Sequence, residues 1–102
     1  MGNLFEGLPQ RPTSDEVVHL LADIAGTRVE RIVSFGHTTD WYDQDADEWV
    51  AVLTGEAVLE FADGTARTMG PGDYELLPRH RQHRVAATAQ GRPTVWLAVL
   101  VG

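Results

Sequence analysis

The chain has no cysteine and no lysine. Without thiols there is no disulfide framework, no thiolate metal site and no cysteine nucleophile, so a bound metal must draw on His, Asp or Glu. Without lysine, no Schiff-base chemistry can run on a side-chain amine. Every basic residue is an arginine, and the net charge of −7 runs against nonspecific nucleic-acid binding, which needs basic patches to neutralise phosphates. Long apolar runs are missing too: nothing approaches the ~18 residues that span a bilayer, and Met1 to Arg11 lacks the basic start and apolar core of a signal peptide. These absences predict a cytoplasmic protein with neither a nucleic-acid nor a membrane partner.

What remains is the composition of a globular domain. A chain of 102 residues with 43% hydrophobic and 23% charged side chains has room for one core and enough apolar surface to bury without staples. One domain over residues 1–102 is expected, with an arm and a short helix in 1–27 and a β-barrel in 28–102. The opening to Pro12 is rich in Pro and Gly and reads as an extended arm, whose Leu4, Phe5 and Leu8 pin it to the barrel or to a partner subunit. Thr13 with Glu16 three residues on has the form of a capping box. Val17, Leu20, Leu21 and Ile24 follow at helical spacing, and Ala25-Gly26 supplies a stop, which together predict a helix over Ser14 to Ala25, with an irregular strand as the alternative for that segment.

From Arg28 the rhythm becomes that of short strands: Arg28 to Phe35, Glu48 to Thr54, Glu56 to Ala62, Thr65 to Met69, Asp73 to Leu77, Gln82 to Thr88 and Thr94 to Val101. Asp63-Gly64, Thr54-Gly55 and Gly70-Pro71-Gly72 mark the turns. Many short strands at this spacing predict a sandwich or barrel. Two of the runs, Trp49 to Leu53 and Val95 to Val101, are apolar on both faces, and a strand buried on both sides needs a second layer. Another sheet, the N-terminal arm or a second subunit would provide it, and a homodimer is the expectation.

Two segments carry a family resemblance, which spans about Arg31 to Val101. Glu48, six residues and Gly55, with Gly36 upstream, resemble the first motif of the cupin superfamily. Gly72, five residues, Pro78, His80 in place of a usual Gly, and His83 resemble the second. The likeness implies an all-β, jelly-roll cupin barrel, and the stretch Trp41 to Gln44 with Asp47-Glu48-Trp49 is similar to small single-domain bacterial cupins. It also implies a divalent metal (iron, manganese, zinc or nickel) held by two histidines of the first motif, its Glu, and the His of the second. Here the two histidine positions fall on Trp41 and Asp43 or on Tyr42 and Gln44, depending on the gap, and neither pair holds a His. Glu48 and His83 are the half of the set that carries over.

Glu48 shares a strand face with Val50 and Val52, and His83 with Val85 and Ala87, so both are placed toward a barrel interior, where a carboxylate must be paired, metal-bound or protonated. They are the candidate acid–base pair. A metal would need further ligands, for which Asp43 and His80 are the first candidates and His37 the next. Metal-free, the same Glu48 and His83 would form a polar pair. Trp41, Tyr42, Gln44 and Arg81 are candidate walls for a small organic ligand. Arg79, Arg81 and Arg84 could grip a carboxylate or phosphate, or simply pair with the acidic loop Asp40 to Glu48. That loop lacks the glycine and terminal glutamate of a calcium loop. His19 reads as a surface or packing residue.

Two functions follow from these residues. One is a small-molecule-binding cupin enzyme, metal-dependent, of oxygenase, isomerase or decarboxylase type. The other is a metal-free cupin that binds a ligand or a partner without catalysis.

Overall fold

The computed structural model describes all residues from Met1 to Gly102 and contains eight strands and no helix: β1 (Val17–Ile24), β2 (Thr27–Ser34), β3 (Asp47–Thr54), β4 (Ala57–Phe61), β5 (Ala66–Met69), β6 (Tyr74–Leu77), β7 (His83–Thr88) and β8 (Thr94–Val101). Strands β2 to β8 lie within one residue of the expected runs at each end. All pairings are antiparallel. They build a five-stranded sheet in the order β1-β2-β8-β3-β6 and a three-stranded sheet in the order β5-β4-β7.

The expected helix over Ser14 to Ala25 is replaced by β1. Ala25 and Gly26 both have positive φ, 51° and 80°, and they join Ile24 to its cross-strand partner Thr27. This is the two-residue hairpin whose twist matches that of its strands, so the apparent helix stop is a turn. The helical spacing has a local cause. Register shifts between Leu20 and Ala22, making Leu21 a bulge, and a bulge breaks the alternation that identifies a strand. Thr13 caps nothing: its hydroxyl donates to the Asp15 carbonyl at 2.5 Å.

The core lies between the sheets. Val50 and Val52 of β3, Trp96, Ala98 and Leu100 of β8, Ala57, Leu59 and Phe61 of β4, Met69 and Leu77 form one buried cluster, with Ile32 and Val85 packed against it. The strands that read as doubly apolar, β3 and β8, are neighbours in the larger sheet, and their outward residues run beside those of β2 and β6. The arm covers part of this outer face, where Arg31 donates to the carbonyls of Leu4 and Glu6 at 3.1 and 2.5 Å. The cross-strand row Ala22, Val29, Val99, Trp49 and Leu76 carries no charge. No helix is long and apolar enough to cross a membrane.

Candidate functional site

A cavity of about 170 Å³ opens between the two sheets. Its apolar wall is Val50, Leu59, Leu77, Val85, Trp96 and Leu100, and its polar groups are Glu16, Glu30, Thr39, Tyr42, Gln44, Glu48 and His83. Strand geometry puts them there. Glu48 and Val50 are two apart on β3, Glu30 and Ile32 two apart on β2, and alternation points each pair to one side. On β7, His83 lies opposite Phe61 and Val85 opposite Leu59, both core residues of β4.

Glu48 is 8% exposed and His83 4%. Burial pushes the Glu48 carboxyl above the usual carboxylate range, and the charges of Glu30 and Glu16 push the same way; His83 and the side-chain amide of Gln44 oppose the shift. The His83 Nδ1 lies 2.8 Å from the Arg81 carbonyl oxygen. A carbonyl only accepts, so Nδ1 carries a proton, and in that tautomer of the imidazole the lone pair sits on Nε2. Tyr42 is tied to His83 by two backbone hydrogen bonds, 2.7 and 3.2 Å, and its ring centroid is 5.6 Å from the imidazole. Its hydroxyl is pushed up by burial and then by the charges of Glu16 and Glu48. The Gln44 Oε1 is buried without a hydrogen-bond partner.

The geometry separates the two residue pairs that the motif spacing left open. Tyr42 and Gln44 line the cavity, whereas Trp41 and Asp43 do not. Trp41 is largely exposed, with the Arg84 guanidinium 5.0 Å from its ring centroid, so it is no pocket wall. Arg81 is also outside, its guanidinium 3.9 Å over the Phe61 ring and beside Glu75 at 3.5 Å. Arg84 pairs with Glu60 at 3.1 Å. Of the three arginines only Arg79 reaches the acidic loop, its backbone N–H donating to Asp47 at 2.9 Å and holding that carboxyl low.

The four-residue metal set is not assembled. Asp43 and His80 are exposed and bonded to each other at 2.7 Å, which holds the Asp43 carboxyl low and the His80 imidazole high. His80 has φ +65° at the third position of a turn closed by the Arg81 N–H on the Pro78 carbonyl at 3.0 Å. A type II turn demands positive φ there and normally a glycine, so backbone shape explains why His80 turns away from the cavity. His37 is consumed by structure: it accepts from the Phe35 N–H at 2.8 Å and donates to the Thr13 carbonyl at 2.7 Å. His19 meets Arg31 at 3.0 Å. No group of three His, Asp or Glu side chains is arranged to hold a metal ion. Glu48 and His83 alone fall short of the three protein donors that catalytic zinc or iron(II) sites use, and the donor set does not fit a resident metal.

Two lining carboxylates escaped the reading of the sequence. Glu30 carries a signal, since it alternates with Ile32, a residue packed against the core, on one face of β2. Glu16 carries none, because its spacing from Thr13 imitates a helix cap. Its Oε2 accepts from the Ser34 hydroxyl at 2.6 Å, and Ser34 Oγ accepts from the Trp96 indole N–H at 3.1 Å. Ser34 is fully buried, so this chain fixes Glu16 at the cavity from the core side.

A model of the cupin domain family matches residues 33–100. A crystal structure from Ralstonia eutropha JMP134, of a protein named as a candidate mannose-6-phosphate isomerase, is 44% identical, with a TM-score of 0.93, and the match covers 99% of this chain and 96% of that one. A cupin superfamily protein from Desulfitobacterium hafniense DCB-2 is 20% identical with a TM-score of 0.78, over 92% of this chain and 83% of that one. The cupin domain of an XRE family transcriptional regulator from Enterobacter cloacae is 19% identical with a TM-score of 0.72, over 85% and 96%. The last two share the fold alone. Among curated proteins nothing matches the chain.

Proposed function

Since the chain belongs to the cupin family, whose barrel hosts many chemistries, we propose that it binds a small organic molecule between its sheets, with Glu48 and His83 as the acid–base pair at the bound molecule. The observation that carries this reading is the pair itself: a carboxyl raised by burial and an imidazole with a free Nε2, both more than nine-tenths buried, facing one apolar cavity. Perturbed titratable groups in a cleft are the physical signature of a working site. A dry cavity of about 150 Å³ accepts a benzene ring, so the 170 Å³ here suits a molecule of one ring or a short branched chain.

The name of the Ralstonia relative suggests sugar phosphate isomerisation. Such chemistry needs a base, which His83 or Glu48 supplies, and also a cationic grip on the phosphate. The cavity wall holds no arginine and the chain has no lysine. We therefore extend the reading to a proton-transfer-competent binding site and not to a phosphorylated substrate.

The test is titration of the 15N-labelled protein with cyclohexanol. Shifts concentrated on Val50, Leu59, Val85 and the Trp96 indole, abolished by Val85→Phe or Val50→Phe in protein that keeps its far-UV spectrum, support the reading. Shifts scattered over the outer face, or unchanged by both variants, refute it.

A further inference from the structure

Acceptors dominate the polar groups of the cavity. The carboxyl groups of Glu16, Glu30 and Glu48 and the His83 imidazole line it, with the hydroxyls of Thr39 and Tyr42 and the Gln44 side chain beside them, while none of the arginines does. We propose, on the reading that this cavity is a ligand site, that its ligand is an organic cation: a primary or secondary amine, protonated, whose N–H groups supply the missing donors and whose hydrocarbon part lies against Val50, Leu59 and Val85.

Three independent features argue for this class. The first is the unmet hydrogen-bonding demand. A buried acceptor without a donor is costly, and in the Nδ1–H tautomer of His83 the Nε2 lone pair at the cavity is one. An alkylammonium carries up to three donors on one nitrogen and answers several acceptors at once. The second is charge. Glu30 and Glu16 act on Glu48 as like charges, and a cation among them turns that repulsion into attraction, whereas a phosphate or carboxylate adds to it. The third is the aromatic wall. Tyr42 and Trp96 line the cavity with these carboxylates, and aromatic rings attract ammonium groups.

Glu16 sets the preference without belonging to the acid–base pair. The chain from the Trp96 indole through Ser34 to Glu16 Oε2 holds that carboxylate in place, so the charge waits for the ligand rather than being ordered by it. Glu30, on the same sheet, adds the second pole.

The experiment compares three molecules of one shape at pH 7 by isothermal calorimetry and 15N chemical shifts: cyclohexylamine, cyclohexanol and cyclohexyl phosphate. The proposal expects cyclohexylammonium to bind at least about tenfold more tightly than cyclohexanol, with no binding of the phosphate ester. Glu16→Gln and Glu30→Gln should each reduce that preference several-fold, raising the Kd for cyclohexylammonium by more than the Kd for cyclohexanol. If cyclohexanol binds as well as the amine, or the phosphate ester binds best, the cationic assignment is overturned and the cavity remains a ligand site. Should none of the three perturb cavity residues, the assignment falls together with the function proposed above. If Mn²⁺ or Zn²⁺ occupies the site stoichiometrically and excludes the amine, the occupant is inorganic and the proposal is overturned as well.

Discussion

Replacing Glu48 by Gln removes one charge from the barrel interior and almost no volume. Burial, the largest influence on this carboxyl, raises its folded-state pKa above that of the unfolded chain. A carboxyl shifted upward binds more protons folded than unfolded between the two values, so the protein loses stability as pH rises through that window. The full penalty applies above the folded pKa and none remains below the unfolded value of about 4.3. The steepest loss is about 1.4 kcal/mol for each pH unit of the window. The amide introduced by Glu48→Gln keeps the shape of the carboxyl, so the variant changes charge without opening a cavity.

Glu48→Gln should therefore match the wild type near pH 4 and be more stable at pH 8, by up to about 1.4 kcal/mol for each pH unit that separates the folded from the unfolded pKa. In a domain of this size that is about 4–8 °C in Tm for each kcal/mol. Urea melts at half-unit intervals from pH 4 to 8, followed by far-UV circular dichroism, measure it directly. A difference constant across pH, or a variant less stable at pH 8, would refute the idea that the protein holds Glu48 ionisable against a burial cost. A gain at pH 8 would identify a residue kept for its chemistry at the expense of stability, the usual trade at working sites.

Three further outcomes follow from the same structure. Gly55→Ala should destabilise by at least about 3 kcal/mol in a urea melt, because φ is +89° and the new Cβ would sit 2.4 Å from Thr94 Oγ1 and 2.6 Å from its Cα, adding a backbone clash to left-handed strain; a loss under about 1 kcal/mol would contradict that packing. The exposed His80–Asp43 pair makes a small pH-dependent contribution. The His80 imidazole is raised and the Asp43 carboxyl lowered, so the pair helps fully between about pH 4 and 6.5, the two unfolded values. Its help fades as pH rises through the folded His80 pKa or falls through that of Asp43, and His80→Gln should flatten only this profile. On the outer face, the uncharged row of Val29, Val99, Trp49 and Leu76 lets two copies meet without like-charge repulsion despite the net charge of −7. Sedimentation should show a dimer that Trp49→Glu dissociates, and a monomer at high micromolar concentration would leave this face without a second copy.

The barrel was legible because most of its turns announce themselves chemically and most of its strands keep a period of two. Glu48 and His83 were legible for the same reason, each sharing a face with apolar residues that the core requires. The spacing that named Asp43 and His80 as ligands failed on backbone geometry. Asp43 lies one residue out of phase with the inward pair Tyr42 and Gln44, and alternation alone cannot fix the phase of a segment with only one isolated bridge, between Tyr42 and His83. His80 occupies a left-handed position that the turn imposes.

The deeper miss was Glu16. One bulge at Leu21 made an edge strand imitate a helix, and with the strand went the carboxylate just before it, which only the long-range links through Ser34 and Trp96 bring to the cavity. That miss bears directly on chemistry. With Glu48 alone the site is a carboxylate beside an imidazole, compatible with a neutral or even an anionic ligand given a nearby arginine. With Glu16 and Glu30 added and every arginine outside the cavity wall, the electrostatic sign of the site is fixed before any ligand arrives.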